Sequence, residues 1–205
     1  MESKYENLKY IPLSSNDMLK LNKNTRLITY KDLFYCNDID KCFGQYDKII
    51  LFFPMSDACN GHWTGLLRKN KKIYFYDSYA FIPDEEIDFE KSNKKIHDNI
   101  KIPRLTQLLY DAEQKGYTIY RNPYRLQSPK TNTCGRYVTL FLNEELTPTQ
   151  LYQKYFEKKY GDWSKLKEQE NKIDLNFILA NFYARQIKNY LDTDALCKVK
   201  QMKHI

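Results

Sequence analysis

The sequence predicts an α+β domain, and three patterns carry that prediction. Lys48 to Pro54 (KIILFFP) is a continuous apolar run ended by proline, which is typical of a central strand buried on both faces. Residues 62–67 and 72–77 read as two strands around a polar turn, which indicates a β-hairpin. After Cys134 the apolar residues have the spacing of a helix with one buried face: Val138, Leu140, Phe141 and Leu142.

The first 45 residues contain short elements. Ser14 and Ser15 are residues that cap helices, so they predict a short helix that runs through Leu21. Residues 26–30 alternate as a brief strand does. Residues 31–45 mix aromatic side chains with Asp and Cys, and we expect loop or helical turns there.

The remaining elements are mostly helical. Residues 83–101 are charged and irregular, which predicts a surface loop with a helical turn. A helix over 103–115 follows from an apolar stripe between a first-turn proline and Gly116, and residues 117–121 form a further predicted strand. Two last helices are predicted, one from the capping sequence that begins at Thr147 to about Tyr160, the other over 174–191.

Length and composition predict one domain over residues 1–205. A chain of 205 residues with 42% hydrophobic side chains buries a sizeable core without disulfides. The expected parts are a catalytic half at 49–142, C-terminal helices at 148–191 and a basic tail at 193–205. No segment is long and apolar enough for a signal peptide or a membrane span, so we expect an intracellular protein.

Charge and cysteine content exclude several classes of partner. The net charge of +7 is scattered, which is typical of an ordinary basic surface and permits only weak, non-specific attraction to DNA. The five cysteines form an odd set without a CxxC pair, which indicates reduced thiols. The three histidines lack metal-ligand spacing from a cysteine pair, so we expect neither a metal nor a cofactor.

The register of the hairpin bears on function. A turn centred between Lys69 and Asn70 would place His62 opposite Asp77 on one face, with their Cβ atoms about 5 Å apart. A shift of the turn by one residue would instead pair His62 with Tyr79.

Four residues have the chemistry that a cysteine hydrolase needs. Cys134 precedes a helix, where the free N–H groups stabilise a thiolate nucleophile. His62 is the candidate base and Asp77 its orienting group, while Gln127 and the Cys134 N–H are candidate oxyanion donors. Taken singly, each has a structural alternative: a buried thiol, a structural histidine, a turn residue or a surface amide.

The same residues resemble a known group of peptidases. His62-Trp63, then Tyr76-Asp77-Ser78, then Gln127, then Cys134-Gly135 resembles the clan of adenain, the adenovirus endopeptidase, and of the SUMO- and ubiquitin-like-protein-specific proteases. The resemblance implies a papain-like cysteine protease fold, with a central mixed sheet flanked by helices and the catalytic cysteine at a helix N-terminus. It also implies that Trp63 and Gly135 contact the substrate, with Trp63 helping to form a passage for small residues.

Two details favour a viral branch. The interval of seven residues between Gln127 and Cys134 is similar to that in adenain, although adenain has glutamate where Asp77 stands. The small size and the Lys, Asn and Ile bias resemble a maturation protease of a large DNA virus or a virophage, which would act in the host cytoplasm and the virion. The passage beside Trp63 needs a second aromatic side chain on its opposite side. Trp163, the other tryptophan, lies far from the matched motifs, so an aromatic side chain from Tyr30 to Tyr35 is the alternative.

The resulting hypothesis is a thiol endopeptidase that cleaves viral capsid or structural precursors after small residues, chiefly glycine. Its alternatives are a protease that removes ubiquitin-like or SUMO-like modifiers, an acyl transferase with a similar site, and a catalytically inactive module that binds DNA or capsid.

Overall fold

A computed structural model describes residues 6–54, 61–85, 103–160, 173–176 and 179–180. The chain divides into two compact units, Met1–Ile173 and Asp174–Ile205. In the second unit residues 175–176 and 179–180 are helical, and the rest of the helix predicted at 174–191 and of the tail at 193–205 lies outside the described residues. None of the described helices is both long and apolar enough to span a bilayer.

Five strands form one sheet in the first unit, in the order β1-β2-β3-β4-β5. They are β1 (Arg26–Thr29), β2 (Lys48–Pro54), β3 (Gly61–Lys69), β4 (Lys72–Tyr76) and β5 (Thr118–Arg121). The β1–β2 and β4–β5 pairs are parallel, and the two central pairs are antiparallel. This mixed sheet, with helices packed against it, confirms the predicted α+β class.

Six described helices accompany the sheet: α1 (Ser15–Leu21), α2 (Ile39–Phe43), α3 (Arg104–Gln114), α4 (Cys134–Glu144), α5 (Pro148–Tyr155) and α6 (Glu157–Tyr160). Two 3₁₀ segments cover Glu6–Tyr10 and Tyr30–Tyr35. The helix predicted from Pro148 to about Tyr160 is broken, because Phe156 ends α5 with a backbone outside the helical region. The loop predicted at 83–101 lies mostly outside the described residues.

Both helix starts predicted from capping residues are confirmed. The Ser14 side chain accepts from the Asp17 N–H while the Asp17 carboxylate accepts from the Ser14 N–H. Thr147 and Gln150 exchange the same two bonds at the start of α5. Such a reciprocal pair of bonds, known as a capping box, satisfies two backbone N–H groups that the start of a helix leaves unpaired.

The predicted register of the hairpin is wrong. Lys69 pairs with Lys72 and Gly65 with Tyr76, so the two-residue turn is Asn70-Lys71 rather than Lys69-Asn70. Asn70 has φ +53°, a left-handed conformation that asparagine tolerates far better than lysine, and this preference moves the turn by one residue. Continued beyond the paired residues, this register brings His62 opposite Tyr79, and Asp77 becomes the diagonal neighbour of His62.

Helix α4 packs directly on β3, and Gly65 makes this close approach possible. A Cβ atom at position 65 would lie 3.2 Å from Val138 Cγ1 and 3.3 Å from Phe141 Cδ1. These two α4 side chains are fully buried, and the same apolar cluster includes Trp63 and Cys134. The packing therefore fixes the start of α4 beside the first residues of β3.

On the chain between β4 and α3, the buried carboxylate of Asp84 joins several elements. It accepts from the N–H groups of Leu105 and Thr106 in the first turn of α3, and from the hydroxyl of Tyr30. Asp84 therefore caps α3 from a distant part of the chain and ties it to the 3₁₀ segment Tyr30–Tyr35.

Candidate active site

Cys134 is the first residue of α4, and the residue is 6% exposed. The preceding Thr133 makes no side-chain cap, so its hydroxyl does not satisfy the N–H groups of the first turn. Within the described chain no group accepts a hydrogen bond from the Cys134 N–H. Cys134 thus combines a buried thiol with a backbone donor that can serve an incoming oxygen atom.

His62 and Asp77 form a buried pair. His62 Nε2 lies 2.8 Å from Asp77 Oδ2, and the two residues are 8% and 0% exposed. A carboxylate only accepts, so the Nε2 hydrogen of His62 points at Asp77. The other ring nitrogen, Nδ1, is then the one that can exchange a proton with a thiol.

Cys134 is the hydrogen-bond partner of that imidazole. Burial raises the pKa of the Cys134 thiol, but the hydrogen bond to His62, the charge of His62 and backbone bonds from Trp63 and Gly135 together lower that pKa below its ordinary value. The contact therefore favours a thiolate beside an imidazolium, which is the reactive form of a nucleophilic cysteine.

The other described cysteines lack this environment. Cys36 and Cys42 are free and buried. Burial first, and then the neighbouring Cys36, raises the pKa of Cys42 far above its ordinary value. Cys59 and Cys197 lie outside the described residues.

Asp77 is held by contacts on all sides. Its second oxygen, Oδ1, accepts from the N–H of Tyr79 at 2.6 Å. Its backbone N–H donates to Asn122 Oδ1 at 2.8 Å, and its carbonyl accepts from Asn122 Nδ2 at 2.6 Å. Asn122 is itself fully buried, so the carboxylate that faces His62 has little freedom to rotate.

Gln127 lies in the same region, and its amide is saturated. Oε1 accepts from the Ser78 hydroxyl at 2.6 Å, while Nε2 donates to the Tyr79 hydroxyl at 3.0 Å and to the Thr131 carbonyl at 2.6 Å. The bond to Thr131 folds the loop between Gln127 and Cys134 back on itself. Donation from Gln127 directly to an oxyanion stays a prediction, since both of its amide hydrogens already have acceptors.

The two residues predicted to contact substrate are tightly packed. Trp63 is 3% exposed, donates from Nε1 to the Leu13 carbonyl at 3.0 Å and packs against Phe52, with ring centroids 4.4 Å apart and planes tilted by 41°. A Cβ atom at Gly135 would lie 2.9 Å from Met18 Sδ and 3.2 Å from Trp63 Cδ1. Glycine therefore lets Trp63 approach Cys134, and the substrate contacts of both residues stay predictions.

Three residues of this site escaped the sequence reasoning as functional candidates: Ser78, Asn122 and Tyr79. Ser78 and Asn122 act through hydrogen bonds between distant segments, for which a single sequence holds no pattern. Tyr79 stacks on His62 with ring centroids 5.1 Å apart and planes at 25°. The sequence does contain an indication of this contact, because the alternative register of the hairpin pairs Tyr79 with His62.

The fold and the site define an α+β protein with a buried cysteine, histidine and aspartate cluster at the start of a helix. No protein-family model matches the chain. The chain belongs to the same family as the uncharacterized protein V9 of Sputnik virophage, to which it is 30% identical over 142 residues, covering 66% of this chain and 79% of that protein.

Two solved structures show a distant likeness. A de-sumoylating protease aligns over 88% of this chain and 78% of its own, with 15% identity and a TM-score of 0.34. The C-terminal protease domain of Ulp1, solved in complex with SMT3, the yeast orthologue of SUMO, aligns over 62% of this chain and 59% of its own, with 18% identity and a TM-score of 0.30.

Proposed function

We propose that this protein is a cysteine endopeptidase that uses Cys134, His62 and Asp77. The observation that carries the proposal is the position of His62, hydrogen-bonded to the Cys134 thiol and, through Nε2, 2.8 Å from the buried Asp77 carboxylate. A base held between a nucleophile and an orienting acceptor is the arrangement that activates thiols for acyl transfer.

The chemistry follows from these positions. His62 takes the thiol proton, and the Cys134 sulfur bonds to the scissile carbonyl carbon while the π electrons move to its oxygen. When the carbonyl re-forms, the C–N bond breaks and the amine leaves with the proton held by His62. Water then hydrolyses the thioester by the same route, with His62 again as base.

Oxyanion binding begins with the Cys134 N–H, which no described group uses. Gln127 lies in the same region, and hydrogen bonds to Ser78 and Thr131 hold its amide in a fixed position. Donors fixed before the reaction stabilise developing charge without reorganisation, which is why a rigid amide network supports catalysis.

The proposed substrates are viral structural precursors, cut after a small residue such as glycine. Membership of the same family as a virophage protein supports the viral setting. Trp63 follows His62 in the sequence and packs against Gly135, next to the nucleophile, which supports a preference for a small residue before the scissile bond.

The test compares the cleavage of two classes of substrate by this protein. Precursor forms of virophage structural proteins and fluorogenic conjugates of ubiquitin-like modifiers are incubated with the wild type, Cys134→Ala and the control Cys36→Ala. We expect cleavage of precursors after glycine by the wild type and the control alone. Stronger cleavage of the conjugates would show that the protein removes modifiers rather than processes viral precursors. Cleavage by the Cys134→Ala variant would show that Cys134 is not the nucleophile.

A further inference from the structure

Gln127 is poorly placed to donate directly, because both of its amide hydrogens are already engaged. One points to the Thr131 carbonyl at 2.6 Å and the other to the Tyr79 hydroxyl at 3.0 Å. The amide cannot turn over, since Oε1 accepts from Ser78 at 2.6 Å and the residue is 3% exposed. A carbonyl oxygen that reached Gln127 directly would have to break one of these bonds.

Tyr79 is the group at the end of this network. Its hydroxyl accepts from Gln127, and within the described chain nothing accepts the hydroxyl hydrogen in return. Burial raises the pKa of Tyr79, so the phenol keeps its hydrogen at neutral pH. The site therefore contains an oriented O–H donor that its own network does not use.

The position of this phenol is fixed relative to the catalytic base. The Tyr79 ring stacks on His62, and the Arg125 guanidinium carbon lies 4.9 Å from the centroid of the Tyr79 ring. The Tyr79 N–H is bound by Asp77 Oδ1 at 2.6 Å. Movement of Tyr79 would thus disturb Asp77 and His62, and these contacts hold the hydroxyl in the site.

We propose that the Tyr79 hydroxyl donates a hydrogen bond to the oxyanion, and that Gln127 acts by holding and polarising that hydroxyl. This inference rests on the proposed function. As the Cys134 sulfur bonds to the carbonyl carbon, the oxygen that receives the π electrons accepts from the Cys134 N–H and from Tyr79 O–H. No proton leaves Tyr79, and the hydrogen bond it accepts from Gln127 strengthens its own donation.

The test separates acyl transfer from thiolate reactivity. N-acetylglycine p-nitrophenyl ester acylates Cys134 through an oxyanion, whereas iodoacetamide alkylates it by displacement at a saturated carbon, where no oxyanion forms. Tyr79→Phe keeps the ring on His62 and removes only the hydroxyl. We expect acylation to slow by about 100-fold, typical of one lost oxyanion donor, and alkylation to stay within about twofold.

Two further variants complete the design. Gln127→Ala should slow acylation to a similar degree. The Tyr79→Phe, Gln127→Ala double variant should be little slower than either single variant, because both changes disable the same donor, the Tyr79 hydroxyl. Tyr10→Phe, which loses a hydroxyl from a residue that is 53% exposed, is the matched control and should match the wild type.

The contrary outcomes are distinct. Wild-type acylation in Tyr79→Phe would overturn the inference, and so would an equal loss of acylation and alkylation, which would mean that the hydroxyl acts only on the Cys134–His62 pair. If the wild type releases p-nitrophenol no faster than Cys134→Ser, the proposed function fails and this inference fails with it.

Discussion

Replacing Asp77 by asparagine tests the link between the carboxylate and the nucleophile. Asp77 accepts two hydrogen bonds with separate oxygens, from His62 Nε2 at 2.8 Å and from the Tyr79 N–H at 2.6 Å. Asparagine has one such oxygen, so its NH₂ group must face one of these two donors. Either His62 loses its acceptor or the backbone turn at Tyr79 is strained.

The magnitude follows from the charge on the lost acceptor. A hydrogen bond to a charged group contributes about 1.5–3 kcal/mol, which corresponds to about a 10- to 140-fold loss of rate. Without the carboxylate the imidazolium is less stable, so the Cys134 thiolate forms at higher pH. We therefore expect slower acylation of Cys134 and a shift of its alkylation profile to higher pH.

The assay is the rate of Cys134 alkylation by iodoacetamide across about pH 5–9, roughly two units on either side of neutral, together with acylation by the glycine ester. Asp47→Asn is the control, since the Asp47 side chain is 68% exposed and pairs with Arg68. Circular dichroism reports whether Asp77→Asn stays folded. A folded Asp77→Asn variant with the rate and the pH profile of the wild type would refute the role of Asp77.

Three other predictions concern stability. Gly65→Ala places a Cβ atom against Val138 and Phe141, so we expect a loss of about 1–3 kcal/mol in urea unfolding together with slower alkylation of Cys134. Asp84→Ala removes the cap of α3, so the free energy of unfolding should fall by about 1–3 kcal/mol. Tyr76→Phe should raise it by about 1 kcal/mol, since the buried Tyr76 hydroxyl has no partner in the described chain. Burial raises the pKa of Tyr76, so the folded protein favours the neutral phenol. The wild type should therefore keep its full stability below the unfolded pKa of about 10 and lose stability as the pH rises above that value.

Each of these three stability predictions can be contradicted by a specific result. Unchanged unfolding of Gly65→Ala would mean that α4 is not in close contact with β3. An Asp84→Ala variant as stable as the wild type would show that α3 needs no cap from Asp84. Equal stability of the wild type and Tyr76→Phe between pH 9 and 11, on either side of the phenol's ordinary pKa of about 10, would contradict the account of the buried hydroxyl.

Local patterns predicted much of the fold. The capping sequences at Ser14 and Thr147 are complete within four residues, so their helix starts follow from the sequence. The β2 run is apolar after Lys48, and its strand runs from Lys48 to Pro54 as predicted. The turn of the hairpin differs from the prediction by one residue, because Asn70 adopts a positive φ more readily than the lysines around it.

The site was less predictable, since several of its contacts join distant segments. His62 and Asp77 do meet, but as diagonal neighbours rather than as the directly opposed pair that the wrong register implied. Asn122 is 45 residues from Asp77 and Ser78 is 49 residues from Gln127, and only the folded chain brings these partners together. The saturation of the Gln127 amide likewise depends on a loop conformation that the sequence does not determine.

The central claim is that His62 makes Cys134 the reactive thiol. Mild alkylation at neutral pH, with mass-spectrometric mapping of all five cysteines, tests it in the wild type and in His62→Ala. Because the pKa of Cys134 is lowered and that of Cys42 is raised, we expect Cys134 to be labelled first in the wild type and to lose this preference in His62→Ala. Equal labelling of the five thiols, or a preference for Cys134 that survives the loss of His62, would contradict the claim.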